Sequence, residues 1–235
     1  MARTVNEQEY AEKRKEILDA AQRLIFTKGY ERMAIGDVLA ELKISSGAFY
    51  HYFDSKLALL EAFVERGEKE VEKQLLPIIH DPDLTAIEKL QRFFDTLDQM
   101  RSAQKTFLVD LLRVWYTDDN AIVREKVDQA IIERRGPMLN EIVCQGIQDG
   151  LFTTPYPDQA GEIILSLLQG MGNTHARLLL SLGQGVDELR CVENIVAAHA
   201  AYMEAIERVL GAPQNSLYRT DAEAAKVWIA ALRGK

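Results

Sequence analysis

With 235 residues, 47% of them apolar, the chain can build one large or two small hydrophobic cores. No apolar run approaches the roughly 18 residues a membrane span needs, which excludes a membrane-embedded class; with a polar start from Met1 to Glu9, a cytoplasmic location is expected. Cys144 and Cys191 are too few for a disulfide framework and no Cys/His spacing suits zinc, so both are expected as core thiols and neither a metal nor a cofactor is expected.

The net charge of −8 is unevenly divided. Residues 1–56 carry nine Lys/Arg and nine Asp/Glu, net zero, which leaves 19 basic and 27 acidic residues, −8, for residues 57–235. The neutral amino-terminal part holds Lys13, Arg14, Lys15, Lys28, Arg32, Lys43 and Lys56, all candidate partners for phosphate.

The elements read as helices in chain order. From about Glu7 to Lys28, Ile17, Ala20, Ala21, Leu24 and Ile25 share one stripe, with Gly29 as the stop. Ile35, Val38, Leu39 and Leu42 then define one face of a short helix. After the tight turn Leu42-Lys43-Ile44, Ser45 is placed to cap a stubby third helix, with Phe49 and Phe53 four apart on its inner side. Two helices joined by so short a turn form a helix-turn-helix, whose second member enters the major groove of DNA. Ser45, Ser46, Gly47, Ala48, Tyr50 and His51 are its candidate DNA-binding residues: hydroxyl and imidazole groups donate to phosphates or base edges, and Gly47 permits close backbone approach. Lys56 joins them. In the first turn of the next helix a cation opposes the macrodipole, and a nearby phosphate would resolve that conflict.

Ser55 starts a linking helix over about 55–76, closed by Pro77 and the turn His80-Asp81-Pro82-Asp83. Helical stretches follow near Leu84–Arg101, Thr106–Tyr116 and Asn120–Gly150, the last with an expected kink at Gly136-Pro137. The stretch Asp158–Leu182 carries more apolar surface than one face uses. Beyond it, Leu189, Val192, Val196, His199, Met203, Ile206 and Leu210 alternate steps of three and four, the seam of a paired helix. A reader of two half-sites needs two copies, so this pair is expected to form a homodimer interface. Asp221–Arg233 reads as a docked final helix. No strand pattern and no repeat is present, so the fold class is all-α.

The segment from about Ala11 to Phe63 resembles the tetracycline-repressor (TetR) family of transcriptional regulators. The residues that carry it are Ile17-Leu18-Asp19-Ala20-Ala21 with Leu24-Ile25-Phe26, Gly29-Tyr30-Glu31, Ile35-Gly36-Asp37-Val38, and Gly47-Ala48-Phe49-Tyr50-His51-Tyr52-Phe53 with Ser55-Lys56. Residues past it are similar to that family mainly in length and helicity, with local echoes near Gly150 and Pro155-Tyr156-Pro157. Two positions depart from the family pattern. Met33-Ala34 stands where Thr or Ser usually caps the second helix and touches phosphate, and Ser46 stands where Lys often adds charge.

The resemblance implies a three-helix helix-turn-helix DNA-binding domain over 1–56. A helical ligand-binding and dimerisation domain would occupy 57–235, with the chain acting as a repressor on a palindromic DNA operator and released by a small-molecule effector. Candidate ligand-binding residues are Phe94, Phe107, Leu111, Trp115, Tyr116, Met171 and His175, aromatic or polar members of otherwise apolar helices, with Arg113 beside them. A helical protein–protein adaptor would explain the seams but not Tyr50, His51 and Lys56. A helical-bundle enzyme of the di-iron type is disfavoured because no His has a Glu three residues before it.

Overall fold

The structure is a computed structural model that describes residues 2–103, 108, 111–112, 114–182 and 185–233. Among the described residues the fold is all-helical, with no strand. The chain divides into two compact units: residues 1–68 with 113–127, and residues 69–112 with 128–235. The first unit therefore extends beyond residue 56 and includes a strip from far along the chain.

In the first unit, α1 (Ala2–Lys28) buries Ile17, Ala20, Ala21 and Ile25 completely, which is the expected stripe. α2 (Ile35–Leu42) turns Val38 inward, and α3 (Ser46–Tyr50) buries Phe49. α4 (Lys56–Ile79) closes the unit with Leu59 and Leu60. Polar ties fix the angles between these helices. Arg23 donates twice to Glu41 Oε1, at 2.8 and 2.6 Å, and Arg66 donates to Asp19 Oδ1 at 2.5 Å and to Gln22 Oε1 at 2.8 Å. Such exposed or half-buried pairs add orientation more than energy.

The core of the second unit comprises Leu75, Ile79, Leu90, Phe93, Leu139, Ile142, Ile164, Ile206 and Leu210. It is drawn from the end of α4 and from α5 (Ala86–Ala103), α6 (Ala121–Gln148), α7 (Pro157–Ser181) and α8 (Glu188–Leu210), with α9 (Ala222–Arg233) against α8. Thr85 and Glu88 cap α5 reciprocally. α6 continues through Gly136-Pro137, and α7 crosses it closely there. A Cβ on Gly161 would lie 2.4 Å from the Gly136 carbonyl oxygen, so only glycine fits the crossing.

Two expectations change. Val192, His199, Met203, Ile206 and Leu210 are buried within this one chain, because α7, α9 and the strap between α8 and α9 cover them; the expected seam is consumed internally, and Leu189 is 67% exposed. Cys191 is buried as expected, but Cys144 is exposed, on the outer face of α6. Of the stretch Thr106–Tyr116, residues 106–107, 109–110 and 113 lie outside the described residues; positions 108, 111, 112, 114 and 115 are helical.

Candidate nucleic-acid interface

The short turn that joins α2 to α3 rests on Lys43, which takes the left-handed conformation at φ 55 and donates its N–H to the Leu39 carbonyl. Ser45 is extended at φ −78 and ψ 158, and its Oγ accepts from Ala48 N–H at 3.2 Å, the expected N-cap. Phe49 and Phe53 face the core, with ring centroids 6.0 Å apart. The remaining side of α3 is open. Ser45, Ser46, Gly47, Tyr50 and His51 are exposed, and Ala48 and Lys56 are half-buried.

Gly47 has an ordinary helical backbone, and a Cβ there would meet only Ser45 Oγ, at 4.0 Å. Nothing inside the protein demands glycine at this point. A glycine in a helix costs about 0.5–1 kcal/mol relative to alanine.

α1 contributes Tyr10, which the sequence reading missed, and Arg14, which it offered only as a candidate partner for phosphate. Tyr10 packs against His51 with centroids 5.6 Å apart and against Tyr52 at 4.7 Å, bracing the imidazole edge-on. One turn later, the Arg14 guanidinium lies 4.9 Å from the centre of the Phe53 ring. Their four-residue spacing on α1 was the available signal, but the rings they meet lie on other elements.

Lys56 is the first residue of α4, and Ser55 Oγ accepts from Ala58 N–H at 3.0 Å. The conflict of Lys56 with the macrodipole is met partly inside the chain. Its ammonium sits 4.2 Å above the centre of the Tyr30 ring and donates to the Glu31 carbonyl at 3.3 Å. Tyr30 is buried, and that burial, followed by the nearby Glu31 and Glu61 carboxylates, raises its phenol above the ordinary value.

Among the other candidate cations, Lys13 pairs with Glu16, Lys28 with Asp37 and Arg32 with Asp119. Lys15 and Lys43, among the described residues, are exposed without such a partner. At α2, Ala34 is the N-cap and offers no side-chain acceptor, but Asp37 Oδ2 accepts from Ala34 N–H at 2.7 Å. Its bond to Lys28, then that to Ala34 N–H, holds the Asp37 carboxyl below the ordinary carboxylate range.

The candidate ligand residues are not brought together as one set. Phe94 and Met171 line a cavity of about 30 Å³ in the second unit, with Gln91, Asp95, Arg101, His199 and Tyr218. That volume suits one water molecule. His175 stacks on His199 with centroids 6.0 Å apart and rings 9° from parallel, and its Nε2 is buried without a hydrogen-bond partner. Leu111 is buried but does not line the cavity. Trp115 and Tyr116 lie in the first unit, where Arg124 donates to the Trp115 carbonyl and sits over the Tyr116 ring at 5.8 Å. Phe107 and Arg113 lie outside the described residues.

Comparison with known proteins agrees with this geometry. Residues 17–63 match the family model described as bacterial regulatory proteins, tetR family, and residues 112–172 match that of the tetracyclin repressor-like C-terminal domain. Over 94 residues the chain is 32% identical to an uncharacterized HTH-type transcriptional regulator of Lactococcus lactis, covering 40% of this chain and 48% of that protein. The chain thus spans about half the length of that relative. It is 22% identical over 193 residues to the HTH-type transcriptional repressor NemR of Escherichia coli, covering 80% of this chain and 95% of that one. A crystal structure of a tetR-family regulatory protein from Rhodococcus RHA1 superposes with a TM-score of 0.54 at 21% identity, over 86% of this chain and 98% of the other, a likeness of fold.

Proposed function

The chain belongs to the tetR family of bacterial transcriptional regulators, and from that premise we propose that it is a ligand-responsive repressor that binds a palindromic DNA operator as a homodimer and leaves it when a small-molecule inducer binds. The observation that carries the DNA part is the open face of α3. Hydroxyl, imidazole and phenol groups surround Gly47, a glycine that no packing inside the protein requires. Ser45, Ser46, Gly47, Ala48, Tyr50 and His51 read the groove and its flanking phosphates, and Lys56 neutralises one phosphate. Two recognition helices about 34 Å apart, one in each protomer, match successive major grooves on one side of the duplex.

The inducer's place in this reading is the second unit. α4 and α6 each contribute residues to both units, so a ligand that favours one packing of the second unit shifts the population of recognition-helix spacings. The small cavity beside Phe94, Met171 and His199 is the starting point for such a ligand, and it has to widen, because binding sites for small organic molecules occupy about 300–1,000 Å³. By linkage, DNA lowers the affinity for inducer by the same factor.

Selection of bound fragments from a pool of random duplexes tests the reading. Recovery of a two-fold-symmetric sequence, with binding lost in Tyr50→Ala while helicity is retained, is the expected result. Failure to enrich any sequence at low salt would refute it, and a monomer at all concentrations in sedimentation would remove the dimer.

A further inference from the structure

The strip 113–127 enters the first unit through a buried asparagine. Asn120 is fully buried, and its amide joins three segments. Its Oδ1 accepts from Tyr30 N–H at 2.8 Å, while its Nδ2 donates to the Val114 carbonyl at 3.1 Å and reaches the Ile25 carbonyl at 3.5 Å. The adjacent Asp119 carbonyl accepts from Glu31 N–H at 2.9 Å, and the Asp119 carboxylate pairs with Arg32 at 2.6 Å. Four consecutive positions of the α1–α2 connection are therefore engaged by two residues. At the fourth, Gly29, an added Cβ would lie 2.8 Å from Asp119 Cβ.

The same connection supports Lys56. Its ammonium touches the Tyr30 ring and the Glu31 carbonyl, and both residues have their backbone N–H bound by the 119–120 pair. A lysine side chain has several rotatable bonds and a high entropic cost of ordering. A fixed ring face and a fixed carbonyl reduce the orientations open to it before any phosphate arrives.

We infer that Asn120 is a positioning residue for DNA binding: it fixes the Tyr30–Glu31 platform on which the Lys56 ammonium rests, and so decides where that cation meets a phosphate. This rests on the DNA-binding reading above. Asn120 itself touches no DNA, and its effect passes entirely through Lys56. It follows that the loss of Asn120 and the loss of Lys56 are not independent.

The test is a double-mutant cycle on the full-length chain, read as the dependence of duplex affinity on salt, with a short labelled duplex of random sequence as the probe. Each phosphate neutralised contributes about 0.9 to the slope of log affinity against log salt. Lys56→Ala is expected to reduce that slope by about one unit. Asn120→Asp keeps the acceptor for Tyr30 but turns an oxygen toward the Val114 and Ile25 carbonyls, and it is expected to reduce the slope similarly. The double variant is expected to lose no more than Lys56→Ala alone.

An unchanged slope in Asn120→Asp, or a double variant that loses the sum of both, would overturn the inference. If circular dichroism finds Asn120→Asp unfolded, Tyr30→Leu replaces it: this removes the ring face but leaves the bond from residue 30 to Asn120, and the same non-additivity is expected. A wild-type chain that ignores duplex at low salt would overturn the DNA-binding reading itself, an outcome distinct from additivity in a chain that binds.

Discussion

Arg219 donates to both oxygens of Glu207, at 3.3 and 2.9 Å, and the same carboxylate accepts the backbone N–H groups of Leu217 at 3.0 Å and Asn215 at 3.1 Å. Glu207 is 2% exposed, so four donors satisfy a charge that would otherwise be costly to bury. The pair holds the strap between α8 and α9 over the core of the second unit.

Burial alone would raise the Glu207 carboxyl, but the Leu217 N–H, Arg219 and the Asn215 N–H outweigh it and hold it below the ordinary range. Its contribution to stability is present above the ordinary carboxyl range and is lost as the pH falls through the depressed value. Glu207→Gln leaves Arg219 half-buried without its partner and turns an amide donor toward backbone donors, so stability should fall by about 3 kcal/mol. Urea unfolding at pH 7 checks the magnitude, and the difference between variant and wild type should shrink toward pH 3.

His199 sits against His175, and its Nδ1 accepts from Thr220 N–H at 3.3 Å, so Nε2 carries the proton of the neutral ring. Burial, then His175, then Arg219 lowers its pKa to about 4. Because the folded value lies below the unfolded value of 6.5, the unfolded chain binds more protons between them. Stability is therefore fully present above pH 6.5 and declines as the pH falls toward 4, by an amount on the order of 2 kcal/mol after allowance for solvent screening. His175 is shifted in the same direction, by burial first and Arg101 second. Melting temperatures of the wild type should drop across this window, and Gln at both positions should flatten the curve.

Lys43 holds a left-handed backbone with a side chain, a conformation that favours glycine. Lys43→Gly should stabilise the chain by about 1 kcal/mol. If the exposed ammonium contacts phosphate, duplex affinity should fall while the melting temperature rises. Opposite movement of the two readouts separates this from a general effect on folding.

Ala34→Thr supplies the missing side-chain acceptor at the start of α2, beside the Asp37 bond that already satisfies the Ala34 N–H. Stability should rise by about 1 kcal/mol. A tighter duplex complex with a steeper salt slope would mean that the new hydroxyl also reaches phosphate; unchanged binding would mean that Asp37 and Lys28 already provide what the threonine would add.

The parts of the fold legible in the sequence were those specified by short spacing. Ser45 as a cap, Phe49 and Phe53 as the inner pair and Gly29 as the end of α1 each follow from residues within a few positions of one another. The alternation from Leu189 to Leu210 was visible as an apolar stripe, but periodicity does not name what covers a stripe, and here Leu179, Ala225 and Ile229 cover its first half. Trp115 and Tyr116 stood near apolar helices of the second unit, yet the chain carries them into the first. Asn120 had no local signature at all, because its meaning depends on the carbonyl of Ile25 and the N–H of Tyr30.

The distance along the chain between Tyr30 and Asn120 also has a kinetic side. Their bond closes a loop of 90 residues, which makes it a late, non-local contact by comparison with the helices it joins. On a ribosome that adds about 5–20 residues each second, α1 to α3 emerge several seconds before the asparagine that completes their platform. During synthesis the nascent amino-terminal helices pass through an interval as an unfinished subdomain, with the Tyr30 amide still bound to solvent.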